Sequence, residues 1–186
     1  LGSGSDYTVF LNFLGVPVID MAFDGPYGVY HSAYDNHYWV SKIGDPGCRY
    51  HTLMSQLWGT LALRLANADV LPYALDDQAA SLREFVRALD TIPNVTGNLD
   101  TRPLVERTRA LRAAARRLEH RVNTALASGT LAPDAANRLN QDLLAFEGNW
   151  AHPEGIPGRP WFKHLLYAPR YTYAAMTLPG ITEAAE

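Results

Sequence analysis

The chain has 186 residues, 47% of them hydrophobic and 19% charged, with a net charge of -3. That composition fits one globular domain, or one small domain and part of another, and excludes a disordered chain. The mild charge gives no reason to expect nucleic acid, no apolar run reaches the roughly 18 residues of a bilayer span, and the one cysteine, Cys48, excludes an internal disulfide framework.

Residues 6–14 (DYTVFLNFL) read as a short apolar helix, with Asp6 at its N-cap and Gly15 just past its end. The preceding Leu1-Gly2-Ser3-Gly4-Ser5 carries no methionine and no basic start, and runs straight into this apolar segment. The chain therefore reads as beginning inside a fold. Residues 16–23 (VPVIDMAF) are β-branched and apolar and predict a buried strand with Pro17 near its start. Asp24, Gly25, Pro26 and Gly28 mark a loop, and Tyr30-His31-Ser32-Ala33-Tyr34-Asp35 follows it. Helix, buried strand and a loop off the strand end make a small α/β piece.

From Gly47 to Val70 the pattern becomes a long helix. Tyr50, Met54, Leu57, Leu61, Leu65 and Ala68 recur at helical spacing, and Leu53, Trp58 and Ala62 widen the stripe, which predicts burial on more than one side. Leu71-Pro72-Tyr73 ends it. Three further helices follow. Leu75, Ala79, Leu82, Val86 and Leu89 form a stripe that stops before Pro93. Leu104, Thr108, Leu111, Ala115, Leu118, Val122 and Ala125 carry the next, which Ser128-Gly129 ends. Pro133 opens the last at a first-turn position, with Leu139, Leu143, Phe146 and Trp150 as its stripe. Heptad spacing lasts about three heptads without an e/g charge code, so a packed bundle is preferred to a coiled coil.

Seven arginines (102, 107, 109, 112, 116, 117 and 121) crowd one helix. No aromatic interleaves them and the chain is net acidic, so they read as a solvated face rather than an anion-binding surface. Asn94-Val95-Thr96 is a glycosylation triplet of a kind common by chance. After Trp150 comes a long irregular aromatic stretch rich in proline and glycine, of the sort that is functional or packed against a neighbour. Residues 179–186 (PGITEAAE) read as the start of a helix that continues.

Chemistry is sparse. Neutral imidazole is the commonest protein ligand of zinc, and Asp35 is a plausible orienting partner for His31. Local sequence alone favours a structural histidine capping a loop over a ligand. There is no H-E-x-x-H, no supported G-x-S-x-G elbow and no dinucleotide loop, and His37, His51, His120, His152 and His164 are scattered. One histidine cannot build a site that needs three or more protein ligands.

The opening Gly2-Ser3-Gly4-Ser5-Asp6, then Phe10, Gly15-Val16-Pro17 and Tyr30-His31-Ser32-Ala33-Tyr34-Asp35, resembles the co-catalytic zinc peptidases. More narrowly, the chain is similar to the glutamate carboxypeptidase II and transferrin receptor family. The likeness continues in order through Asp45-Pro46, Tyr50-His51, Leu65-Ala66-Asn67, Leu71-Pro72, Arg159-Pro160, His164, Tyr167-Ala168-Pro169 and Pro179-Gly180-Ile181. It implies a mainly α fold: a helical bundle of the transferrin receptor-like dimerisation type, preceded by a small α/β piece of the zinc peptidase domain. Residues 1–70 would end the peptidase domain, and residues 71–186 would form the helical dimerisation domain, its last helix truncated.

The resemblance further implies that His31 is the last zinc ligand in chain order, with Asp35 behind it. Gly4, Ser5, Tyr30 and Tyr173 would line or edge the substrate pocket. The general base, the bridging Asp and the other ligands would lie upstream, where two zinc ions share an activated water for attack on a peptide carbonyl. No catalytic residue would lie in this chain, so it would be inactive alone and would not hold the two zinc ions by itself. The implied partners are a second copy, through the helical domain, and a peptide substrate. The implied setting is an extracellular, periplasmic or membrane-anchored parent.

Departures narrow the implied substrate. Glutamate-specific relatives carry two arginines where this chain has Asp20 and Ala22, an Asn where it has Ser5, and a Lys where it has Thr172. A pocket without those cations does not favour an acidic side chain, because a buried carboxylate needs a charged partner. An aminopeptidase-like or broader exopeptidase is therefore open. Receptor-type members have lost the zinc histidine, so His31 argues for a catalytic parent. The competing readings are a non-catalytic receptor-like or interaction protein of the same family, and a bare bundle unrelated to peptidases.

Overall fold

The structure is a computed structural model, and it describes residues 4–170 and 174–186. Two compact units divide it. One combines the residues up to Asp20 with Asp69–Glu186, and the other is Met21–Ala68.

The first unit is built on two helices, α4 (Leu75–Ala88) and α5 (Arg102–Ala127), which pack along one another. The predicted stripe of α4 is its buried face: Ala79, Leu82 and Val86 lie inside, as does Leu89 in the 3-10 turn that follows (Leu89–Thr91). Ile92 takes an extended backbone ahead of Pro93, which stops the helix there. Pro103 sits in the first turn of α5, where its missing N–H costs nothing, and Thr108 and Ala115 are buried lower down. The core joins Leu82, Val86, Leu89 and Val95 to Leu166 and Leu178 of the C-terminal segment. Helix α6 (Pro133–Phe146) buries Ala136 and Leu143 and ends in a 3-10 turn, Glu147–Trp150.

Side chains tie these helices together. Asp76, at the start of α4, accepts from Arg112 at 2.6 Å and Arg116 at 3.0 Å on α5. The hydrogen bond to Arg112, reinforced by Arg116, holds the Asp76 carboxyl below the usual range against the opposing effect of burial. Part of the arginine stripe is therefore an inter-helix clasp rather than a free solvated face. Asn140 of α6 accepts from the Leu71 N–H at 2.8 Å and donates to the Asp69 carbonyl at 3.0 Å, which fixes the start of this part of the chain.

The irregular stretch after Trp150 is held by isolated bridges, Ala151 with His164 and Ile156 with Arg159. It leads into an antiparallel pair, β1 (Tyr167–Pro169) and β2 (Ala175–Thr177), with Tyr167 opposite Thr177. His164 is fully buried. Its Nε2 lies 2.9 Å from Glu147, and its Nδ1 faces the N–H groups of Leu166 and Tyr167, each at 3.3 Å. That geometry fits the tautomer that donates from Nε2 and accepts at Nδ1. Arg159 forks onto Glu183 of α7 (Pro179–Ala184), donates to the Pro169 carbonyl and lies 4.9 Å over the Phe162 ring.

The N-terminal segment is helical as expected: α1 (Tyr7–Val9) runs directly into a π-helical turn, Phe10–Leu14, closed by Gly15 at φ +60°. Asp6 occupies the N-cap position but makes no side-chain cap bond. Residues 16–23 do not form the expected buried strand. They have no regular structure, and Val16 and Ile19 are 41% and 47% exposed. β-branched residues favour extended backbone, but a strand also needs a neighbour for its N–H and C=O groups, and among the described residues none pairs with this one.

The second unit contains α2 (His37–Trp39), a π-helical turn (Val40–Gly44) and α3 (Arg49–Ala66). The ring of Trp39 covers Gly44 so closely that a Cβ there would fall 2.3 Å from it. Helix α3 stops at Ala66, short of the expected Val70, and the Asn67 side chain donates to the Leu63 carbonyl at 2.7 Å just past its end. The expected two-sided burial is also absent. No residue of α3 is buried, and Tyr50, Leu53, Leu57 and Trp58 are all exposed. Periodicity predicts which faces are apolar; burial needs a second element to cover them. No described helix is long and apolar enough to cross a membrane.

Leu89→Ala should lower the unfolding free energy by about 2–4 kcal/mol, read from the urea midpoint. Leu126→Ala, at an exposed position near the end of α5, should change it by about 0.5 kcal/mol or less. Equal effects would mean that the α4 stripe is not the core.

Candidate functional site

His31 sits at the apex of a short turn that its neighbours build. Ser32 donates twice to the Val29 carbonyl, from its N–H at 3.0 Å and its hydroxyl at 2.7 Å. The same hydroxyl accepts from the Tyr34 N–H at 3.2 Å, and the Asp35 N–H donates to the Ser32 carbonyl at 3.1 Å. Asn36 closes the turn as the N-cap of α2, its side chain accepting from the Trp39 N–H at 3.1 Å. The small hydroxyl after His31 is thus a turn-forming group.

His31 itself takes φ +59°, a left-handed backbone that histidine adopts more readily than most side chains but still at a cost. Its ring stacks on Tyr30 with centroids 3.8 Å apart and planes at 20°, and both residues are exposed. Among the described residues no hydrogen bond joins the His31 ring to the Asp35 carboxylate. Strain of this kind gathers at functional sites, and here it turns an imidazole toward solvent from a braced turn.

Asp35 lines a cleft of about 770 Å³ within this unit, together with Phe23, Tyr27, Trp39, Asp45 and His51. Phe23 meets Tyr50 edge-on at 5.3 Å, and Tyr27 leans on Trp39 at 5.5 Å. Two of these residues, Asp45 and His51, are joined by a hydrogen bond that sequence reasoning did not single out. Asp45 is buried, and its carboxylate accepts from the backbone N–H groups of Tyr50 at 3.1 Å and His51 at 3.0 Å, and meets His51 Nδ1 at 2.6 Å. Burial would raise its pKa; the His51 side-chain bond and the N–H groups of His51, Tyr50 and Arg49 outweigh that and bring it to about 2. Asp45 therefore caps the N-terminus of α3 from outside the helix, where Cys48 holds a left-handed backbone at φ +54°. The available signal was a carboxylate four residues ahead of a helix with no conventional N-cap.

The remaining expected residues lie elsewhere. Gly4 and Ser5 belong to the other unit, where Gly4 has φ +87° and the Ser5 carbonyl accepts from the Thr8 N–H at 3.0 Å. Tyr173, like the neighbouring Thr172, lies outside the described residues. No group of three or more His, Cys, Asp or Glu side chains among the described residues could hold a metal ion. His31 offers one ligand, and zinc needs at least three from protein. The described residues do not by themselves group into a zinc site.

Comparison with known proteins gives these features a context. Residues 99–186 match the transferrin receptor-like dimerisation domain. Over 185 residues the chain is 34% identical to a probable glutamate carboxypeptidase of Arabidopsis thaliana, covering 98% of this chain and 26% of that protein. It is 30% identical to the aminopeptidase NAALADL1 of Rattus norvegicus, over 99% of this chain and 26% of the relative. A protein of Schizosaccharomyces pombe named as an inactive zinc metalloprotease is 29% identical over 97% of this chain and 24% of its own length. The chain spans about a quarter of the length of the curated relatives it matches.

The Asp45 carboxyl is depressed in the folded chain, so its stabilising effect is present above the unfolded carboxyl pKa near 4 and is lost as pH falls toward 2. Asp45→Asn should lower the thermal midpoint at pH 6, and the gap from wild type should close between about pH 4 and pH 2. A gap unchanged at pH 2 would show that the carboxylate is not what Asp45 contributes.

Proposed function

The chain belongs to the glutamate carboxypeptidase and transferrin receptor-like family, as its C-terminal part, and from that membership we propose that it is the dimerising region of a zinc-dependent exopeptidase. The observation that carries this reading is one of extent. The similarity to the two relatives extends over 98% and 99% of the chain, a span that takes in the Tyr30-His31-Ser32 turn. In this reading residues 1–70 close a peptidase domain and residues 71–186 form a helical dimerisation domain.

His31 supplies one zinc ligand, from a braced turn and with a solvent-facing ring. Asp35 stands behind it. Tyr30, Gly4, Ser5 and Tyr173 line or edge the substrate pocket. The two zinc ions, the general base and the remaining ligands belong to residues outside this chain, so the chain alone neither holds the metal pair nor hydrolyses peptides. Asp20, Ala22 and Thr172 leave the pocket without the cations that an acidic side chain needs, which favours peptides with neutral residues.

A second reading has one specific observation behind it. A relative of comparable similarity is named inactive, and a non-catalytic interaction protein of this family would keep the helical unit and the dimer while losing the chemistry.

The test is hydrolysis of a neutral dipeptide by the full-length protein that contains this chain, with and without chelator. Chelator-sensitive activity that falls to background in His31→Ala, with a matching loss of bound zinc, supports the peptidase. A protein that forms dimers by light scattering but neither binds zinc nor hydrolyses peptides establishes the second reading. Chelator-sensitive hydrolysis by the 186-residue chain alone would sink the division of the site.

A further inference from the structure

Residues 7–14 form one continuous helical stretch, α1 and the π-helical turn after it. Its start is set by Ser5, whose carbonyl accepts from the Thr8 N–H. Its far end is held by three contacts from residues 148–163 of the same unit. Gly15 lies so near Gly148 that a Cβ added to it would fall 2.7 Å from the Gly148 Cα, and its φ of +60° also excludes most side chains. The Lys163 N–H donates to the Asn12 carbonyl at 3.0 Å, and Leu11 and Asn12 are 3% and 1% exposed. The Phe13 ring meets Trp161 edge-on at 4.3 Å and has the Lys163 ammonium 5.8 Å from its centroid.

None of these side chains belongs to the apolar cluster between α4, α5 and the C-terminal segment. A large aromatic such as Trp161, exposed to water and touching Phe13, adds little to that core. Its ring contact is instead with the 7–14 helix. Phe13 and Ser5 are eight residues apart, about 12 Å along a helix axis. A tilt of about 5° at Phe13 moves Ser5 by about 1 Å, and a displacement of that size is enough to weaken hydrogen bonds to a bound molecule. The anchored residues Asn12 and Phe13 lie within the π-helical turn itself, a local geometry frequent at functional sites.

We propose that Trp161 and Lys163 are positioning residues: by gripping Phe13 and Asn12 they hold the 7–14 helix and, through it, Gly4 and Ser5. The consequence for substrate rests on the reading above, in which Gly4 and Ser5 edge the pocket. The dimerisation region would then set part of the peptide-binding geometry from 148–163, besides joining two copies.

Hydrogen–deuterium exchange on the 186-residue chain reads the anchoring directly. Trp161→Ala and Phe13→Ala should each speed exchange of the amides of residues 8–14 by about three- to tenfold, with α4 and α5 amides unchanged, and the double variant should add little to either. Trp161→Phe, which keeps a ring against Phe13, should restore most of the protection. Unchanged exchange in residues 8–14, equal acceleration through α4 and α5, or additive single effects would each overturn the proposal. In the full-length peptidase, Trp161→Ala should raise KM for a neutral dipeptide about threefold or more with kcat nearly constant; a fall in kcat alone would also overturn it. Absence of any wild-type hydrolysis would count against the peptidase reading, and the exchange data would still decide whether Trp161 holds the segment.

Discussion

The contact between His164 and Glu147 is the constraint on which the helical unit depends. An imidazole with no solvent exposure is tolerated only if each nitrogen has a partner. Here Nε2 has Glu147, and Nδ1 has the N–H groups of two successive residues. Those bonds fix the chain path from His164 to Tyr167. That path puts Leu166 into the core and sets the register of β1 against β2. The Leu178 N–H then donates to the Leu166 carbonyl at 3.0 Å, and α7 starts one residue later. Glu147 also accepts from Gln78 of α4 at 3.4 Å, so the same carboxylate ties the first helix of the bundle to the last irregular stretch. Burial, and then the Glu147 charge, push the phenols of Tyr73 and Tyr167 above their usual range, which marks how far that charge is felt.

The second unit is organised differently. Its one deeply held polar group, Asp45, satisfies a helix end instead of joining helices. Its apolar side chains mostly face outward: Tyr34, Tyr38 and Leu63 are each more than 60% exposed. Helix α3 is apolar on several sides because its sequence is written for neighbours, and the second unit does not contain enough elements to supply them. The contrast with α4 is instructive. Its stripe is no more regular than that of α3, yet it is buried because α5 and the C-terminal segment lie against it.

This is also why some features were legible in the sequence and others were not. Helices α4, α5 and α6 announce themselves through apolar spacing, Pro103 and Pro133 in first turns and Gly129 at φ +63° past a helix end. Each of those signals is local, and so is the physics behind it. The expected strand at 16–23 failed because a strand is a relation between two segments, and one segment's composition cannot supply its partner. The His164–Glu147 bond spans 17 residues, and the Arg159–Glu183 fork spans 24. No periodicity links such pairs, and only the folded path brings them together. The proposed site was read in a third way. His31 and its neighbours carried little as local chemistry, and gained meaning from ordered likeness to peptidases. Asp45 and His51 were visible as part of that likeness, but their bond was not, because six residues across a helix start correspond to no regular spacing.

The division by contact does not follow the division by sequence likeness, and the difference bears on how such a molecule works. By likeness, residues 4–20 go with the His31 turn. By contact, they go with α4, α5 and the C-terminal stretch. The contact at Gly15 and Gly148 shows why this packing is specific and not incidental. Two backbones approach closely only where both lack side chains, and any residue but glycine at position 15 would meet both a clash and an unfavourable φ. A segment held this way cannot shift independently of residues 148–163. If substrate meets its beginning, the helical unit is part of the pocket's wall, and a change in the packing of that unit alters binding without touching a metal ligand. Dimerisation and substrate recognition would then draw on the same packed helices.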